Sequence, residues 1–144
     1  MNNTPEKFER LFSLLQSRVG EIVRKSSYYQ SDAWGFESEH IFINIALCLQ
    51  TELSPFELLK ETQSIEKELG RTEKTNNHYQ DRTMDIDIIF YAQEIIKTPD
   101  LEIPHPKMHL RDFVLNPLNE IAADFMHPVL GKKVRELLIL CNNS

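Results

Sequence analysis

Residues 41–51 read IFINIALCLQT and carry the clearest two-residue period of the chain. Isoleucine and leucine recur at every second position, whereas Phe42, Asn44 and Gln50 stand on the alternate positions. Successive side chains of a strand point to opposite faces, so the pattern predicts one continuous β-strand over these residues. Cys48 lies within the apolar run, and we expect it to be a small core residue.

This strand is flanked by elements of a different period. Ser54 and Glu57 form a capping box, and apolar residues at helical spacing continue to Gly70, which is a stop signal. Upstream, the spacing predicts a helix over residues 5–19. A strand over residues 21–30 would complete a hairpin with the stretch quoted above.

The elements downstream of the second helix are shorter. We predict a strand over 84–91, extended segments near 94–97 and over 101–104, a helix over 110–121 broken at Pro117, and a helix over 132–140. A hairpin between two helices, with a strand after the second, belongs to the α+β class. The order resembles a ferredoxin-like β-α-β-β-α-β unit, an α/β sandwich with an antiparallel sheet, whose first strand is missing.

The bulk composition narrows the function classes. The chain has 144 residues, which predicts a single domain over 1–144. Its formal net charge of −6 argues against a general nucleic-acid-binding surface. No run approaches the ~20 apolar residues of a membrane span, so we expect no membrane partner and a cytoplasmic protein.

The strongest chemical signal is the run DRTMDIDIIF at residues 81–90. Strand alternation would put Asp85 and Asp87 on one face, with Cα atoms about 6.5–7 Å apart. Two carboxylates on one face repel each other and favour a bound cation, and Mg²⁺ prefers such oxygen ligands. Arg82 lies where a metal-bound phosphate would sit. The alternatives are a solvated acidic face and a surface salt bridge from Arg82.

Three blocks of the sequence resemble one protein family. The residues at 82–89, RTMDIDII, are similar to a signature of the 6-hydroxymethyl-7,8-dihydropterin pyrophosphokinase family. The run from Pro104 to Leu118 resembles a second signature, and that from Thr62 to Arg71 a third block. The resemblance implies an enzyme that transfers pyrophosphate from ATP to the hydroxymethyl group of the pterin and releases AMP.

The resemblance also implies a role for individual residues. Asp85 and Asp87 would hold two Mg²⁺ ions against ATP, the co-substrate, and Arg71 and Arg82 would act with them in catalysis. The remaining contacts to ATP would come from Gln63, Glu66, Ile88, His105 and Arg111. The pterin slot would be formed by Trp34, Phe42, Asn44 and Phe113.

Without the three blocks, several of these residues have simpler interpretations. Phe42 and Phe113 would be core residues, and His105 would be structural or exposed. Arg71 would be a solvated charge at a helix end. Gln63 and Glu66 would form the solvated face of the second helix.

The main departure from the family lies at the start of the chain. Family members open with a strand and a Gly-Ser/Thr-Asn segment before the first helix, whereas this chain begins Met1-Asn2-Asn3. We expect Met1 to be an internal methionine of a longer protein, and the protein to be a monomer when that strand is restored. The alternatives to a working enzyme are a truncated homologue that binds ATP or pterin without turnover, and another Mg²⁺-dependent nucleotidyl transferase.

Overall fold

The structure is a computed structural model that describes residues 5–32, 41–71 and 84–143. At a few positions it describes the backbone alone: Pro5, Ser31, Asp32, Ile41, Phe42 and Arg71. In chain order the elements are α1 (Pro5–Arg18), β1 (Gly20–Lys25), β2 (Tyr29–Asp32), β3 (Ile41–Asn44), β4 (Leu47–Thr51), α2 (Pro55–Arg71), β5 (Ile96–Lys97), β6 (Glu102–Ile103), a short 3₁₀ helix (Met108–Leu110), α3 (Asp112–Ala122) and α4 (Val134–Asn142).

The described residues divide into two compact units. The first contains residues 5–23, 49–71 and 84–87, and its centre is the packing of α1 on α2. Its buried apolar side chains come mainly from these two helices: Phe8, Leu11, Phe12, Leu15, Val19, Leu58, Ile65, Leu69 and Met84. The helical spacing predicted for both helices is therefore confirmed.

Arg18 ties the end of α1 to the exposed side of α2. Its guanidinium donates to Glu61 at 3.3 Å, to Glu68 at 2.7 Å and to Ser64 at 2.9 Å. These three acceptors follow one another at helical spacing, so one planar guanidinium spans two turns of α2.

The start of α2 is confirmed by its cap. Ser54 N–H donates to Glu57 Oε1 at 2.8 Å, and Glu57 N–H donates to Ser54 Oγ at 3.2 Å. The helix runs through Gly70 to Arg71, so the predicted stop is one residue early. The fully buried Leu69 holds the last turn in place and offsets the cost of about 1 kcal/mol for glycine in a helix.

The predicted continuous strand over 41–51 is wrong. It is two strands, β3 and β4, interrupted at Ile45 and Ala46. Ser26 causes the break, because its N–H donates to Ala46 O and its Oγ accepts from Ala46 N–H, both at 2.9 Å. A side chain thus takes the place of a main-chain partner, and the pairing shifts as at a β-bulge.

On either side of the break the hairpin pairs regularly. β1 pairs with β4, and β2 pairs antiparallel with β3 from Tyr29↔Asn44 to Asp32↔Ile41. The strand predicted over 21–30 is divided in the same way. Within β4 the alternation is confirmed, but it leaves Cys48 exposed, so the expectation of a core cysteine is wrong.

The second unit contains residues 24–32, 41–48 and 88–143, and its core lies where α3 meets α4. The core residues are Met108, Leu115, Leu118, Val134 and Leu137. The predicted break of the helix at Pro117 is wrong, because α3 continues to Ala122. Proline removes only the hydrogen bond to the carbonyl of Phe113, and the full burial of its ring offsets that loss.

The fold class is confirmed at the coarser level, as α+β. The described strands form two-stranded sheets, and the predicted extended segments near 94–97 and 101–104 meet as β5 and β6, with Ile96 opposite Ile103. A ferredoxin-like sandwich is not confirmed. In the part of the chain that the structure describes, no helix is both long and apolar enough to cross a membrane.

His127 organises the turn before α4. Its side chain is buried, and Nδ1 accepts hydrogen bonds from the N–H groups of Val129 at 3.1 Å and Leu130 at 3.0 Å. The ring stands edge-on to Phe90, with centroids 5.6 Å apart. Burial, and to a smaller extent the charge of His109, hold the pKa of His127 below its ordinary value.

Replacement of Gly20 by alanine should destabilise the protein strongly. A Cβ at this position would overlap the backbone carbonyl oxygen of Gln50, so β1 and β4 would have to separate. We expect a loss of about 1–3 kcal/mol in the free energy of unfolding, measured by urea denaturation. Gly131→Ala is the control, because Gly131 has φ +69° with no atom near its Cβ and should lose only about 1 kcal/mol. Equal effects of the two variants would contradict this explanation.

Acidification should destabilise the protein through His127. A histidine whose pKa is lowered by folding binds fewer protons folded than unfolded, so the free energy of unfolding falls as the pH drops below about 6.5. A proton on Nδ1 would also face the N–H groups of Val129 and Leu130. His127→Asn keeps an acceptor without titrating there, so its urea midpoint should fall less between pH 7 and 5. His109→Asn is the control. If the urea midpoint of His127→Asn falls as much as that of the parent, His127 is not the cause of the destabilisation.

Candidate functional site

The centre of the candidate site in the first unit is residues 84–87, which we call the acidic segment. Met84 is buried and Ile86 is half-buried, whereas Asp85 and Asp87 are exposed. The alternation predicted for this segment is therefore confirmed at these four positions, and both carboxylates reach solvent.

The strand predicted over 84–91 is nevertheless wrong, because residues 84–90 have no regular secondary structure. Ile86 N–H does not donate to a neighbouring strand. It donates to Oε2 of Glu66 in α2, at a distance of 2.5 Å. A carboxylate thus takes the place of a ladder partner and anchors the backbone between the two aspartates.

Glu66 lies in a strongly acidic environment. Its burial raises the pKa of the carboxyl above the ordinary value, and the negative charges of Asp85 and Asp87 raise it further. The hydrogen bond from Ile86 acts in the opposite direction. Three carboxylates therefore interact within one unit, and their mutual repulsion favours a cation beside them.

The donor set suits a hard divalent cation that brings further ligands. Asp85 and Asp87 offer exposed carboxylate oxygens, which are the atoms Mg²⁺ prefers. Among the described residues, no three His, Cys, Asp or Glu side chains are grouped so that they could hold a metal by themselves. A metal at the aspartates would complete its shell with water and phosphate oxygens, as Mg²⁺ commonly does. The exposed carboxylate oxygens of Asp85 and Asp87 therefore suit Mg²⁺ as a ligand pair.

Gln63 lies close to this cluster on α2. It precedes Glu66 by three positions, which places both side chains on neighbouring parts of one helix face. Gln63 is exposed. It is thus available to a ligand on that face of α2.

The second unit contains an arginine and an aromatic ring in contact. Arg111 immediately precedes α3, and its guanidinium carbon lies 5.8 Å from the ring centroid of Phe113. Phe113 is 43% exposed, although it belongs to a helix that packs into a core. An exposed ring beside a cation is a surface that a flat, partly anionic ligand can contact on both its apolar face and its charge.

Two of the sequence blocks meet at His105. Its N–H donates to the carbonyl of Ile89 at 3.0 Å, which joins the block around the aspartates to the block that begins at Pro104. Lys107 N–H donates to His105 Nδ1 at 3.3 Å, so the orientation of the ring is restrained. Ile88, the neighbour of Ile89, is half-buried.

Asn44 ends β3 and is half-buried opposite Tyr29. Phe42 lies two residues earlier in β3, opposite Ser31, with its backbone alone described. Arg71 is the last residue of α2, and its side chain is likewise not described. The predicted roles of Trp34 and Arg82 fall outside the described residues.

A comparison with protein-family models matches residues 1–123 to 7,8-dihydro-6-hydroxymethylpterin-pyrophosphokinase. The chain belongs to this family. The match spans α1 through α3, and with them the acidic segment, Glu66, His105 and Arg111. The family predicted from the three sequence blocks is therefore confirmed.

Individual relatives agree with the family match. A 2-amino-4-hydroxy-6-hydroxymethyldihydropteridine pyrophosphokinase of Porphyromonas gingivalis is 46% identical over 80% of this chain and 79% of its own length. The protein of the same name from Aquifex aeolicus is 42% identical over 81% of this chain and 71% of its own. The folic acid synthesis protein FOL1 of Dictyostelium discoideum is 41% identical over 90% of this chain, which corresponds to 20% of that protein.

The structure adds one contact to the candidate site that the sequence patterns did not predict. The bond between Glu66 and Ile86 crosses 20 positions of the chain. A hydrophobic period in the sequence does not predict a hydrogen bond between positions this far apart. The only available signal was an acidic residue on α2 next to Ile65, which is fully buried.

Removal of the Glu66 carboxylate should weaken the anchor of the acidic segment. Glu66→Ala leaves the N–H of Ile86 without its acceptor, and we expect a loss of about 1 kcal/mol in the free energy of unfolding, measured in urea without metal. Glu66→Gln should lose less, because its amide oxygen can still accept. Gln63→Ala, on the exposed part of the same helix, should stay within about 0.5 kcal/mol of the parent. A Glu66→Ala variant as stable as Gln63→Ala would contradict the anchoring role.

Proposed function

We propose that this protein transfers a pyrophosphoryl group from ATP to the hydroxymethyl group of 6-hydroxymethyl-7,8-dihydropterin, giving AMP and the pterin diphosphate in folate biosynthesis. The observation that carries the proposal is the family match over residues 1–123. The acidic segment supports it, because a triphosphate is handled through metal ions and fixed positive charges, with no covalent nucleophile required.

Asp85 and Asp87 would hold two Mg²⁺ ions in this reaction. Bound there, Mg²⁺ would neutralise the triphosphate and stabilise the charge that develops during transfer. The aspartates themselves supply exposed carboxylate oxygens. Glu66 holds the backbone between them by accepting from Ile86 N–H.

The phosphates and the nucleotide would be bound by residues of the three sequence blocks. Arg71 and Arg82 would stabilise the charge on the transferred group, since a guanidinium can bind phosphate oxygens in a bidentate manner. Further ATP contacts are proposed for Gln63, Glu66, Ile88, His105 and Arg111. The restrained ring of His105 supports its role, because a fixed donor loses little freedom on binding.

The pterin would bind between aromatic rings, with an amide reading its edge. Phe113 is the exposed ring, and Arg111 lies against it. Asn44 supplies donors and an acceptor at the end of β3, which matches the mixed edge of a pterin. Trp34 and Phe42 are proposed as further stacking partners.

We propose a single pterin pyrophosphokinase domain over residues 1–144 with the ferredoxin-like sandwich predicted from the order of elements. We also propose a cytoplasmic protein that acts on small molecules and not on nucleic acid. The α+β arrangement is consistent with the first proposal, and the negative net charge argues against nucleic acid as a partner.

Neutralising either aspartate should stop turnover. Asp85→Asn and Asp87→Asn each remove a metal ligand, so AMP formation in the presence of ATP, Mg²⁺ and 6-hydroxymethyl-7,8-dihydropterin should fall by about 100-fold or more. Asp100→Asn, in the exposed turn between β5 and β6, is the control and should keep the parent rate. Thermal melting checks that all three variants remain folded.

Three results would contradict parts of this proposal. A parent protein that binds ATP or the pterin but forms no AMP would be a homologue without turnover. AMP formation that is indifferent to the pterin, with release of inorganic pyrophosphate, would point to another Mg²⁺-dependent transferase. Near-normal turnover in Asp85→Asn or Asp87→Asn would remove the metal assignment.

A further inference from the structure

Glu120, in the last part of α3, binds the hairpin through its carboxylate. Oε1 accepts from Ser27 N–H at 2.9 Å and from Tyr29 Oη–H at 2.9 Å, and Oε2 accepts from Ser27 Oγ–H at 3.1 Å. Arg24 adds a fourth bond to the same end of the helix, from its guanidinium to the carbonyl of Ile121 at 3.2 Å. All of these residues belong to the second unit.

The donors that Glu120 binds lie at the break of the hairpin. Residues 26–28 separate β1 from β2, and Tyr29 is the first residue of β2. Tyr29 is directly opposite Asn44, the proposed pterin-reading amide. Glu120 therefore holds the cross-strand partner of Asn44 at the point where regular pairing resumes.

The same helix also carries Phe113. It precedes Glu120 by seven positions, which is two helical turns and about 10 Å along the axis, so both side chains leave the same side of α3. The helix is continuous between them and packs against both β2 and β3. A rigid rod attached to the hairpin at one end defines the position of the ring at the other.

We propose that Glu120 is a positioning residue for the pterin, which sets the spacing between Asn44 on β3 and Phe113 on α3. The inference rests on the proposed function, since it needs Asn44 and Phe113 in the pterin slot. Glu120 itself does not have to touch the substrate. Its role is to keep the edge-reading amide and the stacking ring at the separation that a flat ring requires.

The charge state of the pair supports this role. The N–H of Ser27, followed by the hydroxyl of Tyr29, holds the pKa of Glu120 below its ordinary value, so the carboxylate is ionised near neutral pH. The bond to Glu120 in turn raises the pKa of Tyr29 and keeps its hydroxyl as a donor. All three bonds are thus charge-assisted.

Because Glu120 is exposed, its substitution can change the position of the pterin-binding residues without lowering the stability of the whole protein. Its side chain lies at the surface, whereas the core of the unit is built from Met108, Leu115, Leu118, Val134 and Leu137. Loss of exposed hydrogen bonds leaves that core intact. We therefore expect the consequence of a substitution in substrate binding rather than in global unfolding.

Steady-state kinetics on the full chain test the inference, with AMP formation followed against each substrate in turn. Glu120→Ala loses all three bonds and should raise KM for the pterin about five- to tenfold, with KM for ATP within about twofold of the parent. Glu120→Gln keeps an acceptor for Ser27 N–H and Tyr29 Oη–H and should restore KM for the pterin to within about twofold. Tyr29→Phe, which loses one bond, should lie between them.

Glu94→Ala is the matched control, since Glu94 is an exposed carboxylate of the same unit outside this cluster. It should keep both KM values. If Glu120→Ala unfolds, Tyr29→Phe and Glu120→Gln carry the test with the same expected order. A pterin KM that is unchanged in Glu120→Ala and Tyr29→Phe, or that rises together with KM for ATP, overturns the inference while the proposed function stands. Absence of AMP formation by the parent protein would instead overturn the proposed function.

Discussion

The hydrogen bond from Ile86 N–H to Glu66 is the interaction on which the acidic segment depends. It is 2.5 Å long, and it joins the backbone between Asp85 and Asp87 to the half-buried carboxylate of Glu66 in α2. Two aspartates so close in the chain repel each other, and this hydrogen bond opposes the repulsion in a segment without regular secondary structure. The anchor holds the backbone between the two exposed carboxylates, and a cation bound there would relieve the repulsion of all three acids.

The second unit uses the same device at a different place. Ser26 binds Ala46 through its side chain, and Glu120 binds Ser27 and Tyr29. In each case a side chain replaces a backbone partner at the point where regular pairing stops. Such breaks position particular residues, because the strand beyond the break starts with a register that the side chain has defined. Here that register puts Tyr29 opposite Asn44.

Local patterns predicted the elements that depend on burial of one face. The α1 and α2 stripes, the Ser54 cap and the alternation over 84–87 agree with the structure, because each is a property of neighbouring residues. The single strand over 41–51, the strand over 84–91 and the break at Pro117 were wrong for one common reason. In each, a contact distant in sequence outweighed the local preference: Ser26 at Ala46, Glu66 at Ile86, and the buried core around Pro117.

The α+β class, the family and the acidic pair can be predicted from the residues alone, since periodicity and motif spacing are properties of neighbouring positions. Which backbone groups receive side-chain partners, and therefore where the strands end, is visible only in the folded chain. A hydrogen bond depends on distance and angle in space. Positions 20 or 93 residues apart, as at Ile86 with Glu66 and Ser27 with Glu120, meet only after the chain has folded.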